Sequence, residues 1–172
     1  MAQAVLLLCL VAGASFFGMA TRVAIPPIAW IALTLLVHAT RSMRAVPGIP
    51  YLWLALYLSL VIARRGAMPV PGPIYFVTIA AEATVVTLPF VADRLAAVRL
   101  GGVGSTLVFP LSLVAAEFLR SRFTSAGSWG SIAYSQYGFL PLMQLAAVTG
   151  IWGITFAMGP GSPRRLTLGA AS

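Results

Sequence analysis

The chain has 172 residues, of which 60% are hydrophobic and 8% charged, with a mean hydropathy of +0.97. A soluble domain carries about 25% charged residues, so this chain cannot clothe a water-facing surface, and a bilayer is the solvent its composition fits. The formal net charge of +8 comes from eleven Arg against three acids, with no Lys. These Arg stand singly or in pairs between apolar runs (Arg22, Arg41, Arg44, Arg64, Arg65, Arg94, Arg99, Arg120, Arg122, Arg164, Arg165). They do not cluster on a polar face with interleaved aromatics. That is the distribution of loop residues near anionic headgroups and excludes a nucleic-acid partner.

In chain order, the first apolar run covers Ala4 to Ala20 and follows Met1-Ala2-Gln3 directly, without the cationic start of a cleavable signal. It is read as an uncleaved first membrane helix. Cys9 lies within it and has no second Cys to pair with. The second run, Val23 to Ala39, has Pro26-Pro27 near its start, where a helix tolerates proline. The third, Ile49 to Ala63, is short and ends at Arg64-Arg65; the fourth runs from Pro71 to Ala92 and ends at Asp93-Arg94. The fifth, Val103 to Phe118, contains Pro110 and is expected to kink there. The sixth, Leu140 to Met158, is stopped by Gly159-Pro160-Gly161. Runs of this length span a hydrocarbon core of about 30 Å. The segment 120–139 is too polar to cross.

The predicted fold is therefore all-α: a polytopic membrane bundle of about six helices over residues 1–159, with a polar loop between the fifth and sixth, then a Gly/Pro/Arg tail over 160–172. Five helices would result if the first two formed one re-entrant hairpin. Loop cations divide six against five between the two sides, so the positive-inside rule alone sets no orientation.

Few residues invite a chemical reading. His38 stands alone near the end of the second helix, as an interfacial residue does, and no second ligand accompanies it; no metal or cofactor site is expected. Gly101-Gly102-Val103-Gly104 lacks the preceding strand that a phosphate cradle needs. Glu82 is the exception, an acid in the middle of an apolar run. It must face the bundle interior or a wet cavity, either to contact a proton or substrate or, protonated, to bond a neighbouring helix. Glu117 and Arg120 are three apart at a helix end and are expected to pair. Gln144 and Thr155 lie about 20° off the same face of the sixth helix, and Gly150 and Gly153 allow a close neighbour, so this thin polar face is expected to pack inward towards the loop.

The stretch from Glu117 to Phe156 carries Trp129, then Tyr134-Ser135-Gln136, then Gln144-Leu145-Ala146, then Gly150-Ile151-Trp152-Gly153-Ile154-Thr155-Phe156. In this order and spacing it resembles the last part of the membrane domain of bacterial apolipoprotein N-acyltransferases. The chain departs from that family in having Ala126-Gly127-Ser128-Trp129 in place of Gly-aromatic-Pro-Trp, and Ala133 in place of Gly before Tyr-Ser-Gln. The resemblance implies a protein of the bacterial inner membrane, its N-terminus cytoplasmic and the Trp129–Gln136 loop on the outer side. It also implies transfer of an acyl chain from a phospholipid to the α-amino group of a lipoprotein's N-terminal Cys. The thioester chemistry there belongs to a nitrilase-like domain with a Glu base, a Lys and a Cys. Trp129, Tyr134, Ser135, Gln136, Gln144, Glu117 and Arg120 would line the substrate cavity.

No catalytic residue is assigned to this chain, because it has no Lys and its one Cys lies in an apolar run. It is expected to be a truncated or isolated membrane part, inactive alone. The alternatives are a membrane subunit that recruits a nitrilase-like or glycosyltransferase partner chain, and a small transporter-like protein.

Overall fold

The computed structural model describes residues 2–70, 72–100 and 102–160; the 161–172 part of the expected tail lies outside them. Six α-helices form the bundle: α1 (Ala2–Ala20), α2 (Pro26–Ser42), α3 (Ala45–Ala63), α4 (Pro73–Leu100), α5 (Gly102–Phe123) and α6 (Leu140–Met158), with a 3-10 turn at Ile132–Gln136 before α6. No strand occurs among the described residues. The fold is an all-α membrane bundle. Gln3–Ala20, Pro73–Ala96 and Leu140–Met158 are long and apolar enough to cross a membrane, and Pro47–Ala63 is a shorter apolar helix.

Proline and charge set the helix ends in ways the hydropathy of the sequence does not show. Helix α3 begins four residues earlier than predicted, because Pro47 falls in its first turn, where its missing N–H has no intrahelical acceptor to lose. Helix α4 continues through Asp93 and Arg94, because both side chains bond to α2 and are not solvated as a loop: Arg41 Nε and Nη2 reach the Asp93 carboxylate at 2.8 and 2.7 Å, and Arg94 donates to Thr40 O and Met43 O. Those last two carbonyls close the C-terminus of α2, where a cation is favoured.

Helix α1 packs on α2 and α3, α3 on α4, α4 on α5, and α5 on α6; α6 and the 3-10 turn then return to α2. Leu10, Leu33, Leu36, Leu52, Leu56, Phe90 and Phe109 are buried along this path. Helices in lipid gain little from apolar burial against each other, so close backbone approach matters more. Ala14 and Gly18 of α1 meet Ser59 and Ala63 of α3. Ser59 Oγ donates to Ala14 O at 2.6 Å, and a Cβ on Gly18 would run into the Ser59 hydroxyl.

Successive helices reverse direction and give the bundle two ends. The end of α1, the start of α2 and the end of α3 share one end with the segment 124–139. The end of α2 and the last turns of α4 lie at the other. Helix α6 is not a straight rod. Gly150 has φ 67° and ψ −170°, which divides it into two segments, so Gln144 and Thr155 do not share a face. No close neighbour crowds Gly150, and the nearest atom to a Cβ on Gly153 belongs to Thr149, one turn back. Gly150 bends the helix, and neither glycine admits a close partner helix.

Because that φ and ψ are essentially glycine's alone, Gly150→Ala is expected to destabilise the bundle by about 1–3 kcal/mol. An unfolding midpoint in detergent equal to that of the unsubstituted chain would show that the break is not required.

Candidate functional site

The end of the bundle that carries the 124–139 segment is organised by a buried cation. Arg64 follows the last turn of α3 and is 2% exposed. Its Nη2 lies 2.6 Å from Glu82 Oε1 on α4, its Nε reaches Glu82 Oε2 at 3.4 Å, and its Nη1 reaches Thr21 O at the end of α1 at 3.4 Å. The guanidinium carbon sits 4.5 Å from the centroid of the Trp129 ring, a cation–π contact. Gly130 has φ 78°, and a Cβ there would strike the same guanidinium. The expectation for Arg64 needs correction, since it is not a headgroup-facing loop residue. Of the two readings of Glu82, the bond to a neighbouring helix is the one found, with the end of α3 supplying the partner. The two side chains neutralise each other, as charges in an apolar medium must.

Glu117, near the end of α5, holds the other side of the segment. Its Oε2 accepts from Ser131 Oγ at 2.8 Å and from Thr155 Oγ1 of α6 at 2.7 Å, and its Oε1 accepts from Ile132 N at 2.9 Å. The expected pairing of Glu117 with Arg120 does not form. Three convergent donors occupy the carboxylate, and Arg120 Nη1 donates to Trp129 O at 2.7 Å. Trp129 is thus held twice, by its ring over Arg64 and by its carbonyl on Arg120.

The 3-10 turn is fixed by its own polar residues. Gln136 is buried; its Oε1 accepts from Trp30 Nε1 at 3.2 Å, and its Nε2 donates to Pro26 O at 3.1 Å and to Ser135 Oγ at 3.0 Å. Ser135 Oγ donates to Ile132 O at 2.6 Å. Ser128 and Tyr134 join their hydroxyls at 2.7 Å, so Ser128 clips the loop to the turn.

Beneath the loop, between α4 and α5, lies an open groove of about 230 Å³. Ala81, Val85 and Met68 make its apolar wall, and Glu82, Arg120 and Trp129 border it. Of the residues expected to line a cavity, the structure brings Trp129 and Arg120 to this groove. Tyr134 and Gln136 border a separate hollow between the 3-10 turn and α6. Ser135 is buried, and Gln144 is exposed on the first segment of α6. Sequence reasoning missed Arg64, Gly130, Ser131 and the groove-lining Ala81 and Thr124. Only Arg64 carried a signal, as a charge that immediately follows an apolar run and shares one end of the bundle with Glu82.

A multi-helix membrane bundle with a polar-pinned loop over an apolar groove is the class that fold and site define. The chain belongs to the apolipoprotein N-acyltransferase N-terminal domain family, whose model matches residues 12–159. It is similar to the apolipoprotein N-acyltransferase of Geobacter metallireducens, 29% identical over 146 residues, an alignment that covers 77% of this chain and 27% of that protein. The chain therefore spans about a quarter of the length of that curated relative. No solved structure matches it.

Removing one partner of a buried pair strands the other, so Arg64→Met is expected to cost about 3–5 kcal/mol, whereas Arg64→Met with Glu82→Met should recover most of it. A double-mutant cycle on unfolding in detergent measures this, and additive single effects would refute the coupling. Glu117→Ala removes the acceptor shared by three donors, of which only Thr155 keeps another, Ile151 O at 3.4 Å. It should open the loop to trypsin at Arg120 and Arg122, while Glu117→Gln stays largely protected. Equal cleavage rates in the unsubstituted and Ala forms would exclude the carboxylate as the clamp.

Proposed function

We propose that these residues are the membrane portion of an apolipoprotein N-acyltransferase-like protein of the bacterial inner membrane, with the N-terminus cytoplasmic and the 124–139 loop on the outer side. In this reading the groove beneath Trp129 receives an acyl chain in the transfer from phospholipid to a lipoprotein's N-terminal amine. The observation that carries it is the groove itself, apolar along α4 and edged by Arg120 at the loop of a chain whose family match spans residues 12–159. Ala81, Val85 and Met68 suit methylenes, and Arg120 offers a positive charge to the phosphate that follows the chain into place.

The covalent steps fall outside these residues. The thiolate, base and oxyanion-stabilising Lys of a thioester route have no counterpart here, since there is no Lys. Cys9 stands on α1 eleven residues before Ala20, about 16 Å along the helix from the loop end. A nitrilase-like domain or partner chain would supply them. The part played by this chain is to bind the acyl donor and hold its ester at the outer surface, which lowers the entropic cost of the reaction without touching the reacting atoms.

A phospholipid with a photoactivatable acyl tail, offered to the chain in nanodiscs, is expected to label peptides of α4 and the 124–126 segment. Ala81→Trp, which fills the groove, should remove most of that labelling. The 172-residue chain alone is expected to transfer no acyl group to a diacylated lipopeptide. Undiminished labelling of the filled variant would dismiss the groove, and transfer by the chain alone would dismiss the division of labour.

A further inference from the structure

A further cavity lies at the opposite end of the bundle from the loop. There the start of α1 and the connection between α2 and α3 enclose a cavity of about 420 Å³, bordered by Gln3, Ser42, Arg44 and Tyr51 and walled by Leu6 and Leu7. We propose that this cavity is a binding site for an anionic phospholipid, its phosphate held by Arg44 and its acyl chain lying against Leu6 and Leu7.

Charge accounting supports the assignment. The chain has three acidic side chains. Glu82 is taken by Arg64, Asp93 by Arg41, and Glu117 by Ser131, Ile132 and Thr155. None of these three side chains is left to neutralise Arg44, which is exposed at the mouth of the cavity. The surroundings add to its field. Arg44 is the N-cap residue of α3, with no side-chain hydrogen bond to that helix end, and the first turn of α3 contains no acid. The positive end of the α3 dipole therefore acts together with the guanidinium. The Gln3 amide, Ser42 hydroxyl and Tyr51 hydroxyl provide neutral donors at the same rim. A purely soluble anion would leave the leucine wall without a partner, a lipid without a phosphate would leave Arg44 without one, and a zwitterionic phospholipid would bring a second cation beside the guanidinium. An anionic phospholipid matches both.

Arg22 also edges a cavity, between α1 and α3 at the loop end, but that one is smaller, at about 240 Å³, and offers only Ser15 and Ser59 as neutral side-chain donors. The fuller set of polar groups is at Arg44.

The full chain in detergent, titrated with short-chain phosphatidylglycerol and followed by native mass spectrometry, should bind that lipid in preference to phosphatidylcholine. Arg44→Gln should weaken binding about five- to tenfold, Arg44→Lys should retain most of it, and Arg65→Gln at the other end should leave it unchanged. Filling the cavity from its apolar side with Leu7→Trp should also weaken binding, while the unfolding midpoint of each variant reports that the fold persists. Equal binding of the two lipids, or an Arg44→Gln chain that binds as the unsubstituted one does, would overturn the proposal. Displacement of the lipid by inorganic phosphate at equal concentration would overturn it as well, by showing that the leucine wall contributes nothing.

Discussion

The guanidinium of Arg64 is the constraint around which the loop end is built. A charge enclosed among apolar helices must be neutralised where it stands, because the medium cannot solvate it. Glu82 supplies the opposite charge from α4, the carbonyl of Thr21 a further acceptor from α1, and the Trp129 ring a π-face from the loop. One side chain of the α3 terminus thereby fixes the relative positions of three helices and a loop. The same demand explains Gly130, where any side chain would collide with the cation that its neighbour covers. At the far end Arg41 and Asp93 repeat the arrangement between α2 and α4. With so few acids, each acidic side chain is committed to structure, and Arg94 and Arg120 turn to backbone carbonyls instead.

The elements were legible where local rules decide them. Apolar runs, the Pro26-Pro27 start of α2 and the Gly159 stop of α6 each follow from backbone chemistry within a few residues. The long-range partners were not. Glu82 and Arg64 are eighteen residues apart across a turn, and no local pattern joins them. Glu117 and Arg120 have ideal helical spacing, yet they do not pair. A surface i,i+3 ion pair is worth a few tenths of a kcal/mol, whereas three donors converging on one carboxylate are worth considerably more. The same reasoning accounts for α6. A face drawn at 100° per residue assumes an unbroken helix, and Gly150 breaks it, because its φ lies in the region glycine alone enters freely.

Polar residues in a membrane loop need not be there for substrate. Gln136 and Ser135, the most recognisable side chains of the Tyr-Ser-Gln motif, spend their hydrogen bonds on Trp30, Pro26 and Ile132. Tyr134 spends its hydroxyl on Ser128. The motif staples the 3-10 turn to the start of α2, and so fixes where the preceding stretch, Thr124 to Trp129, can lie. That stretch makes the rim of the groove, and the opposite wall comes from Ala81 and Val85, residues without any polar signature. The part of the sequence that identifies the family is thus the part that holds the loop still. The apolar wall of the groove is composed of residues that only the fold brings together. For the acyl-chain role proposed for the groove, a rigid rim is an advantage, since a loop that had to be ordered on a ligand's arrival would cost binding free energy.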